Sequence, residues 1–305
     1  MAKVLVICGA TASGKTSLSV ACAKALNGEI ISADSLLVYK GLNIGTAKPT
    51  LEEREGVPHY MIDVVEPTQS FSVSDYEEMA LPILEDILAR GKTPIICGGT
   101  GFYINSLLYK SQFGNAGANP EIRKELEEFA EENGKSALHA LLAEKDPESA
   151  EILHENDVKR VIRALEIYFA TGKKKSEQKD EPIPRFDFVC VSIQHEREYL
   201  YERINKRVDI MASQGLLEEV QGLMAQGLTI EHQSMQGIGY KEVLQGIEEG
   251  WTETEIFELI KKNTRNYAKR QITYFKKIPN LINLQSHPTK ILAKRIIDEL
   301  GISKN

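Results

Sequence analysis

Residues 4–16 read VLVICGATASGKT and decide how the amino-terminal part of the chain folds. A short apolar run, Val4–Cys8, leads into Gly9–Thr16, which matches the pattern G-x-x-x-x-G-K-[ST] in full. Glycines let backbone amides turn inward around phosphate oxygens, and the amino terminus of a following helix adds partial positive charge. The stretch therefore predicts a P-loop between a strand and a helix.

The motif assigns roles to its own residues. Lys15 is suited to neutralise terminal phosphate charge, and the Thr16 hydroxyl is the expected ligand of Mg²⁺. A loop of this kind predicts a diphosphate or triphosphate ligand but does not specify ATP. The predicted phosphate-binding residues are Gly9, Thr11, Ala12, Ser13, Gly14, Lys15 and Thr16.

Similar apolar runs recur along the chain, each rich in Val and Ile and bounded by Gly, Asp, Pro or Asn. They are Ile30–Ala33, Pro94–Cys97, Phe188–Ile193 and Leu281–Leu284. Short runs of this kind between helical stretches are typical of parallel strands. We predict an α/β fold in which a P-loop-type parallel sheet core is flanked by helices.

The stretch from about residue 115 to 185 shows no convincing strand. Asn119-Pro120 is a favourable helix start, with an Asn cap and Pro at the first helical position. Predicted helices are Glu121–Glu132, Ser136–Leu142 and Val158–Phe169. We predict an all-helical domain, residues 116–185, inserted into a discontinuous core of residues 1–115 and 186–305.

Composition is that of an ordinary globular protein, 42% hydrophobic and 27% charged, with a net charge of −7. No apolar run approaches the ~20 residues of a membrane helix, and the start lacks a signal-peptide pattern. We expect a cytoplasmic monomer without membrane association. The four cysteines are scattered without zinc spacing, so we expect neither disulfides nor zinc.

Two stretches that follow predicted strands are candidates for chemistry. Asp34 ends the second apolar run, and we expect this end to lie beside the P-loop, where Asp34 would be a Mg²⁺ ligand or a general base. The alternative is a turn cap. Thr100 lies within Gly98–Gly101, whose glycines allow close approach of a ligand. The alternative there is a tight strand-to-helix turn.

Positive charge is concentrated near the carboxyl terminus. The stretch Lys261–Lys277 contains seven basic residues and no acidic one, with Tyr267 and Tyr274 interleaved. On a helix, Lys262, Arg265 and Lys269 share one face, which suits the phosphates of a nucleic acid. The alternative is a solvated helix face.

Together the motifs resemble the bacterial tRNA dimethylallyltransferase (IPP transferase) family, over nearly the entire chain. Besides the P-loop, the matching blocks are Ser32–Ser35, Val38-Tyr39, Ile44–Pro49, His59, Met61–Asp63, Phe71-Ser72, Gly98–Gly101, Asn156-Asp157, Arg160, Arg163–Glu166, Thr171-Gly172, Arg203-Ile204, Arg207-Val208, Gly239–Glu242, Thr264-Arg265 and Ala268–Gln271. Leu37 stands where the family often has Gln.

The resemblance implies transfer of a dimethylallyl group from dimethylallyl diphosphate to the N6 amine of the adenosine 3′-adjacent to the anticodon, with Mg²⁺ as cofactor. It implies that the P-loop binds the donor's diphosphate, that Asp34 is the general base, and that Thr100 and Arg207 bind the reacting groups. Implied contacts to the tRNA anticodon stem-loop are Asp34, Ser35, Leu36, Leu37, Thr100, Arg123, Lys159, Arg160, Val161, Ile162 and Arg163, to which the basic stretch adds Lys269 and Arg270.

Three other functions remain open on the residues alone. A small-molecule or nucleotide kinase also combines a P-loop, a nearby acid and a helical lid, but it requires ATP. An enzyme that prenylates free adenine nucleotides would have little use for a long insertion or for Lys261–Lys277. A non-catalytic, GTPase-like RNA-binding module would need a base-recognition motif, and none is identified.

Overall fold

The computed structural model describes residues 4–110, 119–177 and 183–299. The chain divides into two compact units: Met1–Leu108 with Arg185–Asn305, and Tyr109–Pro184. The second unit thus begins at residue 109, whereas the sequence predicted an inserted domain that begins at residue 116. The two units are described separately below.

The first unit contains a six-stranded sheet in the order β3-β2-β4-β1-β5-β6, with every neighbouring pair parallel. Its strands are β1 (Val4–Cys8), β2 (Gly28–Ala33), β3 (His59–Tyr60), β4 (Thr93–Gly98), β5 (Phe188–Gln194) and β6 (Ile282–Gln285). The predicted α/β fold and the predicted strands are confirmed. The sequence analysis missed β3 because two residues are too few to show a pattern.

Helices flank the sheet and form the second unit. They are α1 (Lys15–Leu26), α2 (Leu51–Arg54), α3 (Val73–Ala89), α4 (Gly101–Leu108), α5 (Pro120–Asn133), α6 (Lys135–Lys145), α7 (Pro147–Ile152), α8 (Val158–Thr171), α9 (Arg197–Ser213), α10 (Leu216–Ala225), α11 (Tyr240–Glu249), α12 (Glu253–Phe275) and α13 (Thr289–Glu299). Among the described residues, no helix has both the length and the apolar content needed to cross a bilayer.

One face of the sheet packs against α1 and α13. Leu5, Ile7 and Ile95 from the strands are fully buried against Leu18 of α1 and Ile296 of α13. Each such side chain contributes roughly 1.5–3 kcal/mol by leaving water. The apolar stretch before the P-loop is therefore a central strand that gives the loop a rigid base.

Strand order corrects one expectation about the site. The end of β2 does not lie beside the end of β1, because β4 pairs with both and lies between them. The carboxyl ends of β2, β4 and β1 still share one edge of the sheet. Asp34, the Gly99-Thr100 turn and the P-loop thus follow three adjacent strands, with Thr100 in the middle.

The second unit is a helical cluster of α5 to α8. The predicted start of α5 is confirmed, since Asn119 Oδ1 accepts the backbone amides of Glu121 and Ile122 at 3.1 Å each. The helices predicted over α6 and α8 are also confirmed. The sequence analysis missed α7, a short helix capped by Asp146, whose side chain accepts from Ser149 N.

Candidate active site

The P-loop has the backbone geometry of an anion-binding turn. Gly9, Ala12 and Gly14 have φ of +131°, +60° and +96°, so the chain reverses tightly between β1 and α1. A Cβ at position 9 would lie 2.7 Å from Ser192 Oγ, which restricts that position to glycine. Helix α1 begins without a side-chain cap, so its first-turn amides are available to an anion.

Side chains hold the carbonyls of the loop in place. The hydrogen bonds run from Lys15 Nζ to Ala10 O at 2.6 Å, from Arg203 Nε to Ala12 O at 2.7 Å, and between His195 Nε2 and Ser13 O at 2.8 Å. Burial lowers the pKa of Lys15 from its usual value, because a buried ammonium group loses hydration. A bound diphosphate would offset that loss. Arg203 belongs to one of the blocks that match the family, but its contact with the loop, like that of His195, depends on tertiary packing and could not be predicted from the sequence.

The acid after β2 is fixed in orientation. Asp34 Oδ1 accepts the backbone amides of Leu36 at 2.9 Å and Leu37 at 3.4 Å. The hydroxyl oxygen of Thr100 accepts from Ser35 N at 3.0 Å, and Thr100 N donates to Ala33 O at 3.0 Å. The cap interpretation of Asp34 is therefore correct, and it is compatible with a chemical role because the second carboxylate oxygen is not used in these bonds.

Two cavities meet at this edge of the sheet. One, of about 100 Å³, is lined by the P-loop residues Lys15 and Thr16, and the other, of about 380 Å³, is partly apolar. The apolar residues that line the larger cavity are Leu36, Ile204, Val208, Met211, Ile238 and Ile260. Five residues line both cavities: Thr11, Asp34, Thr46, Arg207 and Tyr267. A molecule with a diphosphate and an apolar group matches this division.

Arg207 lies at the junction of the cavities. Its Nη2 donates to Thr46 O at 3.1 Å. Burial lowers the pKa of Arg207, while nearby Asp34 acts in the opposite direction. The predicted site residues Asp34 and Arg207 thus lie together beside the P-loop, although they are 173 positions apart in the sequence.

The predicted residues that follow Asp34 divide between the cavities. Ser35 and Leu36 line the larger cavity, and Leu37 lines the smaller one. Leu36 also packs on Gly237, where an added Cβ would lie 2.4 Å from Leu36 Cδ1. The segment thus forms part of the wall between β2 and the larger cavity.

The smaller cavity has oxygen donors suited to Mg²⁺. Thr16, Ser19 and Asp34 line it, as does Ser32, whose buried hydroxyl has no hydrogen-bond partner among the described residues. Oxygen ligands are those that Mg²⁺ prefers. In the described part of the chain no three His, Cys, Asp or Glu side chains could hold a metal together. The residues therefore fit an ion that keeps several waters and phosphate oxygens as ligands.

Glu219, which the sequence analysis missed, holds one wall of the larger cavity. Its carboxylate accepts the amides of residues 43–45 at 2.8–3.2 Å and the hydroxyl of Tyr240 at 2.7 Å. The loop that Glu219 holds overlaps Ile44–Pro49, one of the blocks that match the family. No local pattern marks Glu219, which lies in an ordinary amphipathic helix, α10.

In the second unit, the predicted tRNA contacts differ in exposure. Lys159 and Arg160 are exposed on α8, whereas Val161 and Ile162 are 0% and 4% exposed in the core of the unit. The helical period turns Lys159 and Arg160 outward and packs Val161 and Ile162 inside the unit, so the charged side chains of this stretch are the ones that face solvent.

Arg123 and Arg163 both pair with the fully buried Glu166, at 2.9 Å and 2.6 Å. Burial opposes ionisation of Glu166, but hydrogen bonds from Arg163, Asn119 N and Arg123 hold its pKa below the usual value. The two arginines thus stabilise the fold of the second unit. The Arg123 and Arg163 side chains are 42% and 31% exposed.

Helix α12 carries the basic stretch. Lys262, Lys269, Arg270, Lys276 and Lys277 are exposed. Lys261 is paired with Asp209 and Glu258 at 2.7 and 2.8 Å, and Arg265 donates to Asn205 Oδ1 at 2.6 Å. The surface available to an anion is therefore smaller than the sequence suggested. The guanidinium of Arg270 lies over the Tyr267 ring and lines the larger cavity.

Comparisons with known proteins identify the family. The family model for IPP transferase matches residues 37–278. A tRNA dimethylallyltransferase of Acetivibrio thermocellus is 50% identical over 284 residues, which cover 92% of this chain and 91% of that protein. One of Bacillus cereus is 50% identical over 276 residues, covering 90% of this chain and 87% of that protein.

Solved structures show the same fold. The full-length tRNA isopentenylpyrophosphate transferase of Bacillus halodurans has a TM-score of 0.75 at 40% identity, covering 99% of this chain and 97% of that one. A eukaryotic dimethylallyltransferase acting on tRNA has a TM-score of 0.82 at 32% identity, covering 99% and 77%. With its P-loop fold, its site and these relatives, the chain belongs to the IPP transferase family.

Proposed function

We propose that this chain transfers a dimethylallyl group from dimethylallyl diphosphate to the N6 amine of the adenosine 3′-adjacent to the anticodon in tRNA, and releases diphosphate. The observation that carries the proposal is the shared position of Asp34 and Arg207, which line both the phosphate-side cavity and the partly apolar one. The names of the relatives supply the reaction class.

The donor would place its diphosphate on the P-loop and its five-carbon group in the partly apolar cavity. When the allylic carbon–oxygen bond breaks, negative charge develops on the leaving diphosphate. Lys15, Arg207 and the first amides of α1 are positioned to stabilise that charge in a buried setting, where such interactions are strong. Mg²⁺ bound to Thr16 and to the diphosphate would add positive charge to the leaving group.

The acceptor amine is weakly nucleophilic, because its lone pair is delocalised into the adenine ring. As the N6–carbon bond forms and the carbon–oxygen bond breaks, the amine must lose one proton. Asp34 would take that proton as general base, a role typically worth ~10²–10⁴-fold in rate. The Thr100 hydroxyl oxygen accepts from Ser35 N beside Asp34, and Thr100 would help to bind the acceptor base there.

The acceptor RNA would bind through phosphate contacts. Lys269 and Arg270 are exposed on α12, and Lys159 and Arg160 are exposed on α8 of the second unit. Concentrated basic side chains in a chain of net charge −7 favour a polyanionic partner.

The decisive experiment measures transfer of radiolabel from dimethylallyl diphosphate to an unmodified anticodon stem-loop, with Mg²⁺ and without ATP. We expect incorporation that disappears when the adenosine next to the anticodon is replaced, and that disappears with Lys15→Met. ATP hydrolysis or phosphoryl transfer without incorporation would instead indicate that the chain is a kinase. Labelling of free adenine nucleotides in preference to RNA would indicate the other prenyltransferase.

A further inference from the structure

Gln271 of α12 is a buried side chain whose amide is hydrogen-bonded through both its oxygen and its nitrogen. It is 5% exposed. Its Oε1 accepts from Thr11 N of the P-loop at 2.8 Å, and its Nε2 donates to Gly99 O at 3.0 Å. A single side chain therefore joins the loop after β1 to the turn after β4.

The turn after β4 is shaped around this contact. A Cβ at position 99 would lie 2.2 Å from Gln271 Nε2, and one at position 98 would lie 2.1 Å from Ala33 O at the end of β2. The two glycines thus let the turn fit between β2 and α12. Thr100 follows directly and accepts from Ser35 N, next to Asp34.

Helix α12 holds Gln271 firmly. Ala268, one turn before it, is fully buried against Ala10 and Ile204. On the same side of the helix, Tyr274 lies where a Cβ at position 101 would come within 1.9 Å of its ring. Ala268 and Tyr274, which lie before and after Gln271 on α12, are both packed against the core, and this packing fixes the position of the Gln271 amide.

We propose that Gln271 is a positioning residue that sets the distance between the diphosphate-binding loop and the Thr100–Asp34 turn. The inference rests on the proposed function, in which the diphosphate leaving group lies at the P-loop and the acceptor amine lies beside Thr100 and Asp34. Gln271 also lines the smaller cavity, and its amide oxygen and nitrogen are engaged by Thr11 N and Gly99 O. It fixes one site relative to the other, and displacements of about 1 Å can cost ~10²-fold in rate.

Two substitutions separate this role from general stability. Gln271→Met keeps length and bulk but removes both hydrogen bonds. Gln271→Glu keeps an acceptor for Thr11 N but, when ionised, cannot donate to Gly99 O. Gln245→Met makes the same chemical change at an exposed position of α11 and is the matched control.

The measurements are the single-turnover transfer rate, the Kd values of inorganic diphosphate with Mg²⁺ and of the stem-loop, and hydrogen exchange of the Thr11 amide. For Gln271→Met we expect a rate ~30–100-fold lower, Kd values within about 3-fold, and Thr11 exchange at least about 10-fold faster. For Gln271→Glu we expect slow transfer with Thr11 exchange close to that of the unaltered chain.

An unchanged transfer rate in Gln271→Met would overturn the proposal, as would Thr11 exchange equal to that of the Gln245→Met control. Loss of rate in proportion to loss of folded protein, followed by thermal melting, would reduce Gln271 to a structural residue and also overturn it. Failure of the unaltered chain to transfer the prenyl group would overturn the proposed function. The exchange data would still test whether Gln271 joins the P-loop to the turn after β4.

Discussion

The hydroxyl of Tyr240 donates a hydrogen bond of 2.7 Å to Oε1 of Glu219. The same carboxylate accepts the amides of residues 43–45, and a Cβ at position 45 would meet the Tyr240 ring at 2.6 Å. The carbonyl of Thr46, the next residue, accepts from Arg207. The Tyr240–Glu219 pair therefore holds the loop whose Thr46 carbonyl accepts from Arg207, and so limits where the other N–H groups of Arg207 can point.

Replacing Glu219 by Gln should lower kcat about 10-fold, because the loop that orients Arg207 loses a charge-assisted acceptor. Hydrogen bonds to a charged group contribute roughly 1.5–3 kcal/mol each, so the free energy of unfolding should also fall. Steady-state kinetics with the stem-loop and urea unfolding measure both effects. Tyr240→Phe keeps the ring and removes one donor, so its effects should be smaller. A Glu219→Gln variant with unchanged kcat would contradict this.

Replacing Asp34 by Asn tests the general base with little change in shape. The Asn carbonyl can still accept from Leu36 N, so the turn should be retained. We expect kcat to fall ~10²–10⁴-fold while the Kd of the stem-loop changes less than about 3-fold. Single-turnover transfer and filter binding measure the two quantities. Parallel losses in rate and affinity would show that Asp34 mainly binds the RNA.

Removing charge from α12 tests the RNA surface. Each of Lys269→Ala and Arg270→Ala should reduce the slope of log Kd against log salt by about 1, because one phosphate contact and its counterion release are lost. Binding is measured between 50 and 200 mM salt, the range over which roughly 6–10 phosphate contacts would have a large effect. Lys294→Ala, exposed on α13, serves as the control and should leave the slope unchanged. A flat salt response of the unaltered chain would rule this surface out.

Glu29 should give the fold a defined pH dependence. Hydrogen bonds from Arg90 lower the pKa of Glu29 to about 2 against the effect of burial, and Lys92 and Tyr60 add to them. In the unfolded chain the value is about 4.3, so up to about 3 kcal/mol of stability is present above pH 5 and is lost as pH falls toward 2.

Urea unfolding of Glu29→Gln checks this. The variant should be less stable than the unaltered chain at pH 7, and the difference should narrow steadily between pH 5 and pH 3. Glu55→Gln removes an exposed pair with Lys24 and should change stability by less than about 1 kcal/mol. A difference that is constant across this pH range would mean that the Glu29 carboxylate is not the cause.

Local signals were sufficient where the structure is local. The P-loop, the apolar strands and the Asn119-Pro120 helix start each depend on neighbouring residues, so they could be predicted from short stretches. The tRNA-contact stretch 159–163 remains a prediction, and the structure adds which of its side chains are buried. A helix turns successive side chains to different sides, and two of the five side chains are buried.

A phosphate loop, an acid after the second strand and a basic helix could be predicted from the sequence, because residue type and spacing define each of them. The strand order came from the tertiary structure: β4 lies between β1 and β2, so the Gly99-Thr100 turn follows the strand between those that lead to the P-loop and to Asp34. The tertiary structure also placed Gln271 against Thr11, 260 positions away, and Glu219 against residues 43–45. Parallel strands pair only after long crossovers, so their order and the side chains that join their ends follow from packing rather than from any short pattern.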